Sequence, residues 1–100
     1  MAKGYWIASV DVSSDEGYKA YAAANPAIFR AFGGRFVVRG GPFECPEGES
    51  RSRNVVIEFP SYEQALACYR SPEYQANIKV RTPHSTADIV IIGGYDGPQP

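Results

Sequence analysis

Alternating apolar and polar residues predict four β-strands along the chain. In the segment Tyr5–Val12, the even-numbered residues from Trp6 onward are apolar and form one face. This two-residue period is typical of a strand. Three further runs are rich in β-branched or aromatic residues and are bounded by turn residues, as strands usually are. They are Arg35–Arg39, Arg53–Phe59 and Ala87–Ile92.

Capping residues and helical spacing predict a long helix after the first strand. Ser13 with Glu16 three residues later forms a capping box at its start. Gly33-Gly34 ends it, because glycine accepts the left-handed conformation that follows many helices. The side chains at helical spacing on its inner face are Tyr18, Tyr21, Ala22, Asn25, Phe29 and Phe32.

The pair Asn25-Pro26 interrupts this helical pattern. Proline cannot donate to the carbonyl four residues earlier, so we predict a kink or break at this point. Asn25 then acts as the N-cap of a second segment with Pro26 in its first turn. A compatible hypothesis is that the break opens a cleft between helix and sheet, in which Asn25 orients a ligand.

Two shorter helices are predicted after the third strand. Ser61 with Gln64 forms another capping box. Ser71-Pro72 combines a serine N-cap with a proline in the first turn and starts a helix that continues to about Val80.

The resulting order β-α-β-β-α-β is typical of the ferredoxin-like α+β fold. In that fold a four-stranded antiparallel sheet carries its helices on one face. We expect seven apolar side chains on the helix side of the sheet: Trp6, Ala8, Val10, Phe36, Val38, Val55 and Ile57.

The opposite face of the sheet is also predicted to be apolar. Tyr5, Ile7, Val37, Val56 and at least two residues of Ile89–Ile92 remain for it. An apolar patch of this size usually marks an interface, so we expect a homodimer.

Arg39 and Glu58 alternate onto this second face. They are interpreted as an ion pair, with a catalytic or ligand-binding pair as the alternative.

Length, composition and charge place the chain among single globular domains. We expect one domain over residues 1–95 and a flexible tail over residues 96–100. The net charge of −1 gives no basic footprint for nucleic acid. The local cluster of Arg39, Arg51 and Arg53 is interpreted as solvated charges and one strand residue rather than a phosphate site.

The cysteines and the hydropathy of the sequence are used to predict the cellular compartment of the protein. Two cysteines without a C-x-x-C pair exclude the common metal and redox motifs. Together with the absence of a recognisable signal peptide, they favour the cytoplasm. No apolar run approaches the roughly 20 residues that span a membrane.

Several residues are candidates for chemistry. His84, the single histidine, is a candidate general base in a loop. Glu58 is a second candidate, and Arg81 and Asp88 are expected to pair. A small-molecule cleft is expected to involve Arg39 and Asn25 with four aromatic residues, Tyr21, Tyr69, Tyr74 and Trp6, and Tyr18 lies on the same predicted helix face. Most of these aromatic residues are equally explained as core.

Several segments of the chain resemble the family known as domain of unknown function 1330. They are Tyr5-Trp6 with Asp11, Gly33–Phe36, Val38–Gly41, Arg53–Ser61 and Tyr69–Gln75. The resemblance covers Tyr5 to about Gly93. It implies the dimeric α+β barrel superfamily, in which two ferredoxin-like sheets pack face to face.

The resemblance leaves two hypotheses for function. Relatives in the superfamily include cofactor-independent monooxygenases, lactone isomerases, haem-degrading enzymes and ligand-binding modules. A small-molecule enzyme of the monooxygenase or isomerase kind, without cofactor or metal, is the first hypothesis. A non-catalytic dimeric binding or interaction module is the second. Convergent titratable groups in a closed pocket favour the enzyme, whereas a filled core favours the module.

Overall fold

Four strands and three helices follow one another in the predicted order. The computed structural model describes residues 2–100. Its elements are β1 (Gly4–Val12), α1 (Asp15–Ala31), β2 (Arg35–Arg39), β3 (Arg53–Phe59), α2 (Tyr62–Arg70), α3 (Pro72–Arg81) and β4 (Ser85–Gly93), with a 3₁₀ turn at Thr82–His84 before β4. The strand β4 extends beyond the predicted Ala87–Ile92 at both ends.

The strands form one antiparallel sheet in the order β2-β3-β1-β4. The central strand β1 pairs with β3 on one side, where Trp6 lies opposite Ile57. On its other side β1 pairs with β4, where Trp6 lies opposite Ile91. The ferredoxin-like fold predicted from the element order is confirmed.

The core lies between the sheet and the helices, around Trp6. The Trp6 side chain is 1% exposed. Its ring packs against Phe29 and Tyr74, with ring centroids 5.0 and 4.8 Å away. The indole Nε1 donates a hydrogen bond of 2.8 Å to the carbonyl oxygen of Ala65 in α2. Trp6 therefore links the sheet to all three helices, and its polar atom is satisfied.

Of the four predicted helix caps, those at Ser61 and Ser71 are confirmed and the one at Ser13 is shifted by a residue. Ser61 Oγ accepts from the Gln64 amide, and Ser71 Oγ accepts from the Tyr74 amide. The helix α1, however, is capped by Ser14, whose Oγ accepts from Gly17 N, and not by Ser13. Adjacent serines compete for the same role, and the Ser13 amide is used instead in a bond to the His84 carbonyl.

The predicted break at Asn25-Pro26 is wrong. The helix α1 runs without interruption from Asp15 to Ala31 with Pro26 inside it. Asn25 is therefore not an N-cap. Its buried side chain accepts a hydrogen bond from Asn77 Nδ2 of α3 at 2.9 Å. The buried inner face of α1 outweighs the backbone bond that Pro26 cannot make, because most helical stability in a protein comes from packing.

A β-bulge at Val37 changes the predicted faces of β2. Phe36 lies opposite Ile57, but the next paired residue is Val38, opposite Val56, so that Arg39 lies opposite Val55. The extra residue reverses the alternation. Val38 consequently lies on the open face, and Arg39 lies on the helix side, contrary to the predicted positions of both.

The open face of the sheet is apolar, as predicted. Ile7, Val90 and Ile92 are 47%, 54% and 48% exposed on it. Val38 joins them through the bulge and is 41% exposed. Within residues 2–100, no helix has both the length and the apolar character needed to cross a bilayer.

Candidate functional site

A cleft enters the molecule between the helices and the helix-side face of the sheet. It lies where β1 and β2 end and β3 and β4 begin, and it is roofed by α1 and by residues from both ends of α3. Its enclosed cavity has a volume of about 40 Å³, and the hollow around it reaches about 490 Å³ when the open mouth and the space between side chains are counted. The apolar wall includes Trp6, Phe29, Phe36, Val55 and Ile89. The cleft thus reaches the aromatic core.

Three arginines from three different elements line this cleft: Arg39, Arg53 and Arg81. The bulge in β2 turns Arg39 to the helix side, where its guanidinium lies 4.2 Å from the centroid of the Phe36 ring. Arg53 is the first residue of β3, and Arg81 is the last residue of α3, 5.5 Å from the Tyr21 ring centroid. Stacking on aromatic faces is typical of arginine and holds the guanidinium planes in place.

Gly40 makes room for one of these guanidinium groups. Its φ of +66° suits glycine, and a Cβ at this position would lie 2.8 Å from Arg53 Nη1. The Gly40 amide also donates to the Asn54 carbonyl at 2.9 Å, which holds the turn against β3. The absence of a side chain at position 40 therefore allows Arg53 to lie close to the backbone.

None of the three arginines has an acidic partner in the part of the chain that the structure describes. The ion pairs there join Arg35 to Glu58 and Arg51 to both Asp11 and Asp88. The Nε atoms of Arg53 and Arg81 are buried and make no hydrogen bond. The charge of these arginines is therefore not balanced by a carboxylate of the described residues.

Tyrosine hydroxyl groups and an asparagine amide also line the cleft. The hydroxyl oxygens of Tyr21 and Tyr74 are 2.5 Å apart, and Asn25 is held by Asn77. Burial raises the pKa of Tyr74 far above its usual value. Burial also raises the pKa of Tyr18, and the charges of Arg53 and Arg81 partly offset that rise. Tyr18 and Tyr74 are therefore neutral hydrogen-bonding groups near pH 7.

Five of the six predicted ligand-binding residues line the cleft: Trp6, Tyr21, Asn25, Arg39 and Tyr74. Tyr69 does not. Its ring packs against Trp6 and Tyr74, with centroids 5.8 and 5.5 Å away, and so supports the wall from behind. Whether these residues contact a ligand stays a prediction.

Neither of the two candidate catalytic residues lies in the cleft. Glu58 is on the open face, where it receives a 3.3 Å hydrogen bond from Tyr5 and lies 3.9 Å from Arg35. The predicted pairing of Glu58 with Arg39 is therefore wrong. His84 lies in the 3₁₀ turn with its ring against Gly17 of α1.

Sequence reasoning missed Arg53 and Arg81 as site residues. Arg53 had been grouped with solvated charges, and Arg81 had been expected to pair with Asp88, which instead pairs with Arg51 at 2.8 Å. Arg53 begins β3 and Arg81 ends α3, and nothing local to either segment places the two side chains together. Only the packing of α3 onto the sheet brings them together.

A second, wider and more open depression lies on the open face near the loop before β3. It is lined by Ser9, Asp11, Glu49, Ser50, Arg51 and Asp88. Arg51 bridges two of the carboxylates, and Ser52 N donates to Asp11 at 2.9 Å. These bonds lower the pKa of Asp11. The charges satisfy one another, so this depression is interpreted as an anchor that holds the loop to the sheet.

The cleft is suited to holding a polar ligand but carries few catalytic groups. No residue that lines it has a carboxylate, imidazole or thiol group. Within residues 2–100, no cluster of three or more histidine, cysteine or acidic residues is present that could hold a metal ion. The groups that converge are guanidinium donors, neutral hydroxyl groups and aromatic faces.

Comparison with known proteins gives a family and a fold. A family model described as "Domain of unknown function (DUF1330)" matches residues 3–95. No curated protein matches the sequence significantly.

Several solved structures share the fold at low sequence identity. A protein of unknown function from Rhodopseudomonas palustris superimposes with a TM-score of 0.69 and 18% identity, over 99% of this chain and 85% of that one. SnoaB, a cofactor-independent oxygenase from Streptomyces nogalater, gives 0.65 and 15% over 100% and 97%. A dimeric ferredoxin-like protein of unknown function from Thermobifida fusca gives 0.57 and 12% over 92% and 89%.

Proposed function

Because the chain belongs to the DUF1330 family, whose function is unknown, we propose a function from its own geometry: it binds a small organic molecule in the cleft between the sheet and the helices. The observation that carries this proposal is the convergence of three arginines without an acidic partner, Arg39, Arg53 and Arg81, on a cleft whose wall is otherwise largely apolar. A cleft with apolar walls and a few convergent polar groups is the usual form of a ligand site.

The proposed binding protein works as a homodimer in the cytoplasm. The apolar open face, with Ile7, Val90 and Ile92 about half exposed, supports pairing with a second copy. The dimeric fold relative from Thermobifida fusca supports the same arrangement. The free cysteines Cys45 and Cys68 are in keeping with a reducing compartment.

Cofactor-independent oxygenation, or an isomerisation, is the second candidate function. The fold shared with SnoaB over the whole of this chain favours it. The cleft arginines would then stabilise an anionic intermediate of the substrate. The lining lacks a group that takes up a proton near neutral pH, so such a reaction would require a substrate that is itself readily ionised. Binding without catalysis is therefore the better-supported proposal.

Blocking the cleft tests the binding proposal. Ala22 lines the cleft, whereas Ala24 lies on the exposed side of the same helix. We expect Ala22→Trp to fill the cleft and Ala24→Trp to leave it open.

The probes are phenol, indole, benzoate, benzamide and benzylamine, followed by saturation-transfer NMR. At least one of them should bind the wild type and Ala24→Trp and lose its signal with Ala22→Trp. Two results would contradict the proposal. One is that every probe binds Ala22→Trp and the wild type alike. The other is that no probe binds either protein.

A further inference from the structure

The cleft carries an unbalanced positive charge. Arg39, Arg53 and Arg81 are its charged lining residues, and no acidic side chain lies among them. Elsewhere on the described chain, Arg35 and Arg51 are paired with carboxylates. The arginines of the cleft are thus set apart from those whose charge the protein itself neutralises.

The geometry of the donors selects the kind of group that fits them. A guanidinium presents its N–H groups in a planar fork that matches the two oxygens of a carboxylate. The Nε atoms of both Arg53 and Arg81 are buried and lack an acceptor. Hydrogen bonds from a guanidinium to a carboxylate are charge-assisted and stronger than those to a neutral acceptor, so a carboxylate suits this cleft best.

The remainder of the cleft selects the body of the ligand. Its inner wall is formed by Trp6, Phe29 and Phe36 with aliphatic side chains of the sheet. Flat apolar molecules pack well against aromatic faces. A free inorganic anion would make no use of this apolar wall.

We infer that the ligand of the cleft is an organic carboxylate with an aromatic or similarly flat apolar body. Its carboxylate accepts hydrogen bonds from Arg53 and Arg81, with Arg39 adding its charge at the mouth, and its body enters between the aromatic walls. This inference rests on the proposed function, since it requires that the cleft binds a small molecule. It adds the charge, the head group and the orientation of that molecule.

The first experiment compares ligands of matched shape on the wild-type protein by titration. Benzoate and benzamide share a ring and differ in charge, whereas acetate carries the carboxylate without the ring. We expect benzoate to bind at least about tenfold more tightly than benzamide, benzylamine or acetate. Inorganic phosphate should bind more weakly than benzoate.

The second experiment removes single charges from the cleft. Arg53→Gln and Arg81→Gln should each weaken benzoate binding by about tenfold and change benzamide binding less than about twofold. Arg30→Gln is the control, because it makes the same change in net charge at an exposed site on α1. A guanidinium held only for structure would lower the melting temperature when it is removed. A binding residue without a protein partner should leave that temperature unchanged or raised.

The outcomes separate this inference from the proposed function. Equal binding of benzoate and benzamide that Ala22→Trp abolishes would overturn the inference and leave the proposed function standing. Phosphate binding tighter than benzoate would also overturn the inference, because the site would then serve an inorganic anion. If no probe binds at all, both fail. The wild-type comparison decides the matter even where one variant does not fold.

Discussion

Burial controls the chemistry of individual side chains, and the two cysteines show this clearly. Cys68 in α2 is fully buried, whereas Cys45 lies exposed in the loop before β3. Burial, with a smaller contribution from Glu73, raises the pKa of the Cys68 thiol from 9.0 to about 12. Since the thiolate is the reactive form, Cys68 is expected to be inert in the folded protein.

Alkylation should distinguish the two cysteines. At about pH 8, a pKa of about 12 leaves roughly a thousandfold less thiolate than the ordinary value of 9.0. Iodoacetamide should therefore label Cys45 and leave Cys68 unmodified, as mass spectrometry of tryptic peptides can show. The variant Cys45→Ser should take up no label until urea is added. Rapid labelling of that variant without urea would contradict the buried position of Cys68.

Arg39 shows that the face on which a residue lies depends on the regularity of its strand. Strict alternation places it with Glu58 on the open face, but the bulge at Val37 moves it opposite Val55. An unpaired extra residue leaves no composition signal in a run such as Arg35–Arg39. Arg39 therefore lines the cleft because of the bulge, and its contact with a ligand stays a prediction.

Among the secondary-structure elements, α1 and α3 contrast local signals with packing. Ser71-Pro72 starts α3 as predicted, because the cap and the proline both act within one turn. Pro26 predicts a break that does not occur, because Tyr21, Asn25 and Phe29 are buried on the same side of α1. Local signals hold where no tertiary contact opposes them.

The caps of α2 and α3 should differ in their contribution to stability. Ser71 Oγ both accepts from Tyr74 N and donates to the Cys68 carbonyl at 2.7 Å, and it is buried. We expect Ser71→Ala to lower the free energy of unfolding by about 2 kcal/mol, at the upper end of the range for caps. Ser61→Ala, at a more exposed cap that accepts a single bond, should cost about 1 kcal/mol or less.

Urea denaturation followed by circular dichroism measures both variants. Equal losses of stability at the two caps would show that the second hydrogen bond and the burial of Ser71 contribute nothing. The comparison needs no assumption about the ligand of the cleft.

At the scale of the whole molecule, the two faces of the sheet have different roles. The helix side forms the core and the cleft, whereas the open face presents apolar side chains to its surroundings. A large exposed apolar face of this kind usually marks an interaction surface. In the proposed dimer, a second copy covers it.

A charge at the centre of the open face should dissociate the proposed dimer. Val90 on β4 is 54% exposed and lies opposite Ile7, whereas Val80 on α3 is 40% exposed and lies outside the sheet. Val90→Asp should convert the dimer to a monomer, because an unpaired carboxylate in an apolar interface is costly. Val80→Asp makes the same change away from that face and should stay dimeric.

Sedimentation velocity at micromolar concentration distinguishes the two variants, with circular dichroism as the check on folding. A wild type that sediments as a monomer would contradict the proposed dimer. So would a Val90→Asp variant that folds and remains dimeric.

The sequence by itself determined the order of strands and helices, the ferredoxin-like fold and the apolar character of both sheet faces. Periodicity and capping encode these features within a few residues of one another. It also placed Trp6, Tyr21, Asn25 and Tyr74 near one cleft, because they lie on the inner faces of their elements.

Only the tertiary structure decided how the charges are distributed. It turned Arg39 inward through a bulge, paired Glu58 with Arg35, and brought Arg53 and Arg81 to one cleft without acidic partners. These relations join residues that are far apart along the chain, so no local pattern records them. Because charged side chains are long and flexible, the way in which the helices pack onto the sheet decides which partner each of them reaches.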